Sequence, residues 1–224
     1  MQLESNDFDS NNRQLELIEQ IVKQDSEDLL LDVLIDRCIL KKKLPTSLDG
    51  IIFEILRKSS NQNTINKLNS YFCDGLVELQ SYLKLDFQPL QKLLISQNFK
   101  EADALTQVQL CQLAGLDSSD RKWLYFTDIA ILPLEDLCTL DILWSIYSRG
   151  KFGLSVQRKI WLSNNCDWEK LWNKIGWENN GIPLRYPHDF TWSINAPRGH
   201  LPLFNQLRGV RVLSALFNHT MWKP

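Results

Sequence analysis

The sequence lacks the excess of basic residues that proteins binding nucleic acid usually carry. Its 224 residues include 25 lysines and arginines against 27 aspartates and glutamates, so the formal net charge at pH 7 is −2. Affinity for DNA and RNA comes mostly from basic side chains that neutralise phosphates. We therefore expect no nucleic-acid partner.

Closely spaced cysteines are also missing. The chain has five cysteines, an odd number, and no Cys-x-x-Cys pair: Cys38, Cys73, Cys111, Cys138 and Cys166. Zinc sites and redox-active dithiols usually show such pairs. We expect each cysteine to be a small buried or half-buried residue in a reducing compartment.

No apolar run approaches the roughly 20 residues that a membrane-spanning helix needs. The first twelve residues, MQLESNDFDSNN, carry three acidic side chains before the first arginine, Arg13. A secretory signal has a basic and then apolar start, and a transit peptide is rich in arginine and poor in acids. The sequence predicts a soluble protein that works in the compartment where it is made.

Familiar catalytic motifs are absent too. The three histidines, His188, His200 and His219, are dispersed without His-Glu-x-x-His spacing, and Ser155 does not lie in a Gly-x-Ser-x-Gly turn. His200 lies in a segment rich in proline and glycine, where a ring nitrogen usually bonds a backbone carbonyl; ligation of a metal or haem is the alternative. We expect neither catalytic residues nor a metal site.

Two acidic residues of the central stretch, Asp136 and Asp141, do not form a catalytic pair. They are five residues apart, so on a helix their side chains diverge by roughly 140°. Paired carboxylates that perform acid and base chemistry must converge on one bond. We expect one to cap a helix and the other to accept a buried hydrogen bond.

What the chain does have is helical periodicity. Apolar residues recur at three- and four-residue intervals, alternating patterns are almost absent, and 44% of the residues are hydrophobic. The sequence predicts an all-α fold with an N-terminal helical bundle over residues 1–84 and a second domain over residues 85–224. The boundary is placed near Lys84 to Asp86.

The densest stretch runs from Pro133 to Trp161. Leu137, Leu140, Leu143 and Trp144 form one apolar face, which predicts a helix. Gly150 follows that helix as the expected left-handed cap. Trp168 and Trp172, four residues apart, are likewise predicted to lie on one helical face in the core.

A binding site is easier to find in the sequence than a catalytic one. Arg208 and Arg211 are three residues apart, near Asn205, and two guanidinium groups on one face suit a ligand with two carboxylates. The aromatic loop that ends at Phe126 is either a packing wedge or the rim of an apolar cavity. The alternative for the arginines is pairing with local acids or exposure to solvent.

Three separated motifs connect the chain to a known family. They are FKEADALT from Phe99 to Thr106, the block from Asp136 to Trp161 with its LW-x-x-YS-x-G-x-FG-x-SVQ core, and AP-x-GHLP from Ala196 to Pro202. In this order they resemble the Genomes Uncoupled Four family, porphyrin-binding regulators of magnesium chelatase in oxygenic phototrophs. The motifs cover roughly the C-terminal two thirds of the chain.

The resemblance implies a function and a site. It implies a non-catalytic binder of protoporphyrin IX and magnesium-protoporphyrin IX that stimulates magnesium chelatase through the large, porphyrin-binding subunit of that enzyme. It also implies work in a plastid stroma or in the cytoplasm of a photosynthetic bacterium, and leaves peripheral membrane association open. The residues it implies for the porphyrin are Asn205, Arg208, Arg211, Phe126, Trp192 and Phe190.

Two other functions stay open on the sequence. One is an α-helical protein-interaction adaptor that has no ligand. The other is a haem sensor that uses His200 or His188 as the axial ligand. The stretch around Arg185, Tyr186 and Pro187 does not follow the family pattern.

Overall fold

The computed structural model describes residues 27–116, 121–179, 181–203 and 210–222. Its α-helices are α1 Glu27–Ile35, α2 Ser47–Arg57, α3 Gln62–Phe72, α4 Gln88–Ile95, α5 Phe99–Leu113, α6 Phe126–Ile129, α7 Leu134–Tyr147, α8 Leu154–Ser163, α9 Trp168–Ile175 and α10 Val210–Phe217. A π-helical turn spans Asp36–Leu40, and a 3-10 turn spans Thr220–Trp222. The predicted all-α fold is confirmed.

A small β-hairpin follows α9. Strand β1, Glu178–Asn179, pairs antiparallel with strand β2, Ile182–Pro183. Gly181 takes a φ of +76° in the connecting turn, a conformation that residues with a Cβ rarely adopt. The glycine that follows two asparagines therefore permits the turn that joins these two short strands.

The chain divides into two compact units, Met1–Val77 and Glu78–Pro224. The first contains α1, α2 and α3, which bury Leu34, Leu56 and Leu68. Thr46 begins α2 with a capping box, since its backbone N–H donates to Asp49 at 2.8 Å and its side chain accepts from the Asp49 N–H. The boundary after residue 84 stays a prediction.

The second unit is built around α7. Asp136, in the first turn of α7, accepts hydrogen bonds from the Ser81 hydroxyl at 2.5 Å and from the Tyr82 N–H at 3.0 Å. Thr139, one turn later, donates to the Gln80 carbonyl at 2.8 Å. The sequence predicted a buried hydrogen bond for one of the two acids, and this bond is confirmed at Asp136. Together these bonds fix the segment from Gln80 to Tyr82 against α7.

An aromatic cluster forms the centre of that unit. Trp144, from α7, stacks on Phe99 at 6.1 Å between ring centroids, and Phe152 meets Phe99 edge to face at 5.4 Å. The indole N–H of Trp144 donates to the Thr106 hydroxyl at 3.0 Å. Two of the three sequence motifs therefore meet in one core, because FKEADALT supplies both Phe99 and Thr106.

Asp141 has the predicted helix-capping role: its side chain, on α7, caps the start of α8. Its carboxylate accepts from the Ser155 N–H at 2.8 Å. Burial raises the pKa of Asp141, and the backbone N–H groups of Ser155 and Leu154 partly oppose that rise. Gly153, beside this cap, has a φ of +125°, and a Cβ placed there would lie 2.8 Å from the Asp141 carboxylate.

We expect Gly153→Ala to destabilise the protein by at least about 2 kcal/mol, because it adds backbone strain and a clash with a buried carboxylate. Urea denaturation measures the change. Gly115→Ala is the matched control, since Gly115 also has a positive φ (+71°) but open space around a Cβ. Equal losses in the two variants would contradict a steric role for Asp141.

The third motif, Ala196 to Pro202, is held in the same unit by hydrogen bonds to its backbone carbonyls. The Gly153 N–H donates to the Leu201 carbonyl at 3.0 Å, and the side-chain amide of Gln157 donates to the Gly199 and Pro202 carbonyls at 3.0 and 2.8 Å. These bonds fix the segment to α8 and to the residue before it. No helix in the described ranges combines the length and apolar content needed to cross a bilayer.

Candidate functional site

A cavity of about 490 Å³ opens between α6, α9 and α10. Pockets of 300–1,000 Å³ are the usual size for small-molecule ligands. Seven described residues line it: Phe126, Trp168, Val210, Arg211, Ser214, Ala215 and Asn218. None of these lining residues is acidic.

One face of α10 forms a wall of the cavity. Arg211, Ser214, Ala215 and Asn218 follow the i, i+3, i+4, i+7 spacing that brings side chains to the same side of a helix. Arg211 is exposed and lies in the first turn of α10. The Arg211 guanidinium therefore favours an anionic group here.

Phe126 lies at the opposite side, on the short helix α6. Its side chain is 49% exposed, so part of the ring is free to contact a ligand. Asp128 accepts from Arg121 at 2.5 Å and from the Tyr125 N–H at 2.6 Å. The Arg121 hydrogen bond holds the pKa of Asp128 below its usual range, so this ion pair fixes the loop that presents Phe126.

Trp168 supplies the aromatic floor. Its ring is half-buried and stacks on Phe217 of α10 at 5.8 Å and 13° between ring planes. Trp161 lies 5.0 Å away on one side and Trp172 lies 5.8 Å away on the other. This packing leaves part of the Trp168 ring at the cavity.

The prediction that Trp168 and Trp172 are core residues is corrected by their half-buried positions. Leu171 and Ile175 fill the buried face of α9 instead. The two tryptophans lie beside that face with their rings tilted against each other, and Trp172 stacks on the buried Trp177 at 5.2 Å between ring centroids.

The structure brings together two of the six residues predicted for the porphyrin, Phe126 and Arg211. Asn205 and Arg208 lie outside the described residues, in the segment between Leu203 and Val210. Their assignment to the site stays a prediction.

Phe190 and Trp192 lie elsewhere. Phe190 is buried, with its ring 5.4 Å from the His200 ring. Trp192 is half-buried, and its indole N–H donates to the Pro187 carbonyl at 2.9 Å. Neither is among the described residues that line the cavity, since both pack within the loop that follows β2.

His200 has both ring nitrogens engaged. Nδ1 lies 2.7 Å from the Ile175 carbonyl, and Nε2 accepts from the Thr191 N–H at 3.2 Å. Burial lowers the pKa of His200, which matches a neutral ring with its proton on Nδ1. The predicted bond to a backbone carbonyl is confirmed, and these bonds leave no free nitrogen for a haem iron.

Sequence reasoning missed Trp168, Ser214 and Asn218 as lining residues. A signal existed for the last two, because they continue the helical face that starts at Arg211. Trp168 had no comparable signal, since its place at the cavity depends on packing against a helix more than forty residues later. The arrangement as a whole suits a flat apolar ligand with an anionic edge.

Comparison with known proteins gives the same family as the sequence motifs. Residues 80–220 match the model of the family described as GUN4-like. The protein named ycf53 from Pyropia yezoensis is 50% identical over 218 residues, covering 96% of this chain and 92% of its own. The tetrapyrrole-binding protein, chloroplastic, of Arabidopsis thaliana is 37% identical over 142 residues, covering 59% of this chain and 54% of its own.

Solved structures agree with that match. The structure of GUN4 from Chlamydomonas reinhardtii superposes with a TM-score of 0.61 at 36% identity, covering 66% of this chain and 95% of that one. The family match includes all the elements that line the cavity and all three sequence motifs. The chain therefore belongs to the GUN4-like family.

Proposed function

We propose that this protein binds protoporphyrin IX and magnesium-protoporphyrin IX without catalysing a reaction on them, and that it stimulates magnesium chelatase. The observation that carries the proposal is the cavity between α6, α9 and α10, where the exposed Phe126 ring and the half-buried Trp168 ring line the same opening as Arg211. Family membership and the name of the Arabidopsis relative support the same ligand class.

The chemistry of a porphyrin matches the lining. Its macrocycle is a large, flat apolar surface, which Phe126 and Trp168 can cover by stacking and edge contacts. Its two propionates are carboxylates, which guanidinium groups pair with through two parallel hydrogen bonds. We propose Arg211 for one propionate, and Arg208 and Asn205 for the other.

The roles of these residues are to bind and orient the ligand. Ser214 and Asn218 add neutral hydrogen-bonding groups one and two turns after Arg211, so they can meet a propionate or a polar edge of the ring. The lack of an acidic residue among the described lining keeps the anionic ligand free of repulsion. A carrier of this kind holds its ligand reversibly.

Stimulation of the chelatase follows from such binding. A protein that carries the porphyrin substrate or its magnesium product can relieve slow product release, or favour one conformation of the enzyme. The proposed partner is the large, porphyrin-binding subunit. The proposed compartment is a plastid stroma or the cytoplasm of a photosynthetic bacterium, which the chloroplastic relative supports.

Phe126→Ala tests the site. We expect its dissociation constant for magnesium-deuteroporphyrin to rise about tenfold, because the variant leaves apolar ring surface in water. Titration followed by the porphyrin absorbance measures the change. Tyr71→Ala is the control, since Tyr71 is an equally exposed aromatic (51%) in the first unit and lies outside the cavity.

The same two variants test the chelatase proposal. Wild-type protein and Tyr71→Ala should both accelerate magnesium insertion by purified chelatase at limiting porphyrin, whereas Phe126→Ala should need a higher porphyrin concentration. If wild-type protein binds the porphyrin but leaves the rate of magnesium insertion unchanged, the result supports the proposed binding and contradicts the proposed stimulation.

A further inference from the structure

Asn218 lies at the opposite end of the cavity wall from Arg211. Its side chain is exposed, and its Nδ2 amide nitrogen donates to the Ser214 carbonyl at 2.8 Å. That bond fixes which way the amide is turned, because only the nitrogen end can donate to a carbonyl. Among the residues that the structure describes, none donates to the Oδ1 oxygen of Asn218. Oδ1 is therefore an acceptor at the cavity that a ligand can use.

The wall between Arg211 and Asn218 carries only short side chains. Ser214 and Ala215 lie there, half-buried, and the Asn218 N–H donates to the Ser214 carbonyl at 3.1 Å, so the helical spacing extends to Asn218. At about 1.5 Å per residue, Asn218 lies roughly 10 Å from Arg211 along the helix axis. A flat macrocycle with a propionate at Arg211 can therefore rest on this face with its centre toward Asn218.

The donor atoms of the described lining suit magnesium. Mg²⁺ is a hard cation that takes oxygen ligands, and amide carbonyl oxygens are among the ligands that suit it. Haem iron is usually held by a histidine, cysteine, methionine or tyrosine side chain, and the described lining contains none of these. The lining therefore fits a magnesium tetrapyrrole and does not fit haem iron.

We propose that the Oδ1 oxygen of Asn218 is the axial ligand of the magnesium in a bound magnesium tetrapyrrole. This inference rests on the proposed function for its ligand, and it adds the residue that contacts the metal. The magnesium arrives within the ring, where the pyrrole nitrogens surround it in one plane. A protein ligand must therefore approach from a face of the ring, which is the direction that α10 offers.

The same oxygen separates the magnesium form from the metal-free ring. When the magnesium form binds, Oδ1 exchanges water for a cationic partner, and the bond to Ser214 orients the amide before the ligand arrives. A metal-free ring covers Oδ1 without giving it a partner, because its inner N–H groups lie in the ring plane. A covered acceptor without a partner is costly, so we expect a preference for the magnesium form of roughly tenfold.

The test compares two dissociation constants in each variant of the full chain, for magnesium-deuteroporphyrin and for metal-free deuteroporphyrin. Asn218→Leu keeps a similar volume and removes the oxygen. Effects of the substitution on folding enter both constants equally, so their ratio isolates the contact with the metal. Wild type should bind the magnesium form about tenfold more tightly, and Asn218→Leu should reduce that preference to less than about twofold.

Asn173→Leu is the matched control. Asn173 is an exposed asparagine on α9 that lies outside the described lining. This variant should keep the wild-type ratio of the two dissociation constants. A ratio that falls equally in both leucine variants would contradict a specific role for Asn218.

A second measurement reports the contact itself. In protein with ¹³C-labelled asparagine side chains, the NMR signal of the Asn218 carbonyl carbon is the one that disappears in Asn218→Leu. It should shift more with the magnesium form than with the metal-free form. Both rings produce similar ring-current shifts, so the difference between the two comes from the metal.

The outcomes separate this proposal from the proposed function. An unchanged ratio in Asn218→Leu, or equal carbon shifts with the two porphyrins, assigns the axial position to water and overturns the role of Asn218. Saturable binding of both porphyrins would still support the proposed function in that case. If wild type binds neither porphyrin, the proposed function fails, and the axial assignment fails with it.

Discussion

Replacement of Arg208 and Arg211 together by alanine is expected to weaken tetrapyrrole binding at least about tenfold, with little change in thermal unfolding. Each guanidinium can pair a propionate through two charge-assisted hydrogen bonds, and such bonds are roughly twice as strong as neutral ones. Arg211 is exposed at the cavity, so its loss removes a proposed ligand contact without opening the core. Absorbance titration and a thermal melt measure the two effects.

Three further variants show what kind of interaction is lost. Arg211→Ala alone should weaken binding, whereas Lys174→Ala, which also removes one positive charge, should bind as wild type does, because Lys174 is exposed in the last turn of α9 and lies outside the described lining. Arg211→Lys keeps the charge but loses the planar fork, and its affinity should fall between those of wild type and Arg211→Ala. Unchanged affinity in the double alanine variant would contradict the assignment of these arginines.

Trp144→Ala is expected to cost about 3–5 kcal/mol of stability, the usual range for truncating a buried tryptophan. Trp144 is 1% exposed and contacts both Phe99 and Phe152 at the centre of the second unit. Its removal leaves a cavity in that cluster and takes away the N–H group that the Thr106 hydroxyl accepts, while that hydroxyl keeps its own bond to the Ala102 carbonyl at 2.8 Å. Since domains are stable by only about 5–15 kcal/mol, we expect a large drop in the urea midpoint.

Trp144→Phe separates packing from hydrogen bonding. It keeps most of the ring and removes only the indole N–H, so it should cost less than half as much as the alanine variant. Leu162→Ala, an exposed position on α8, should leave stability nearly unchanged. A loss of less than about 1 kcal/mol for Trp144→Ala would show that the motif is not the structural centre of this unit.

The helices were predictable because their signals are local. The spacing of Leu137, Leu140 and Trp144 predicted α7, and the expected left-handed glycine after it is Gly150, with a φ of +72°. Helical periodicity and cap residues involve neighbours in sequence, so one sequence is enough to place them.

The site was only partly predictable because it forms through distant contacts. Phe126 and Arg211 were predicted, and they come together through the packing of α6 against α10. Trp168 was placed in the core because helical spacing shows which residues share a face but does not show where that face meets another helix. Phe190 and Trp192 were predicted to contact the ligand but pack on each other instead, because aromatic residues in a loop can bury their rings against each other as readily as against a ligand.

Buried acids are the least visible feature of this sequence. FKEADALT reads as an amphipathic helix start, yet its Asp103 is buried against a backbone amide one hundred residues later. Charged residues are almost never fully buried unless they have a partner, and a backbone N–H as partner leaves no mark in the sequence. Only the fold identifies which carboxylates are solvated and which hold the chain.

The measurement that tests the account most directly is a tryptophan-quenching titration of the purified chain with magnesium-deuteroporphyrin. Eight tryptophans supply the signal, and Trp168 lies at the proposed site. The account predicts saturable quenching at a one-to-one ratio, with weaker binding in the double alanine variant of Arg208 and Arg211. Quenching that rises linearly without saturation, and equally in wild type and variant, would contradict it.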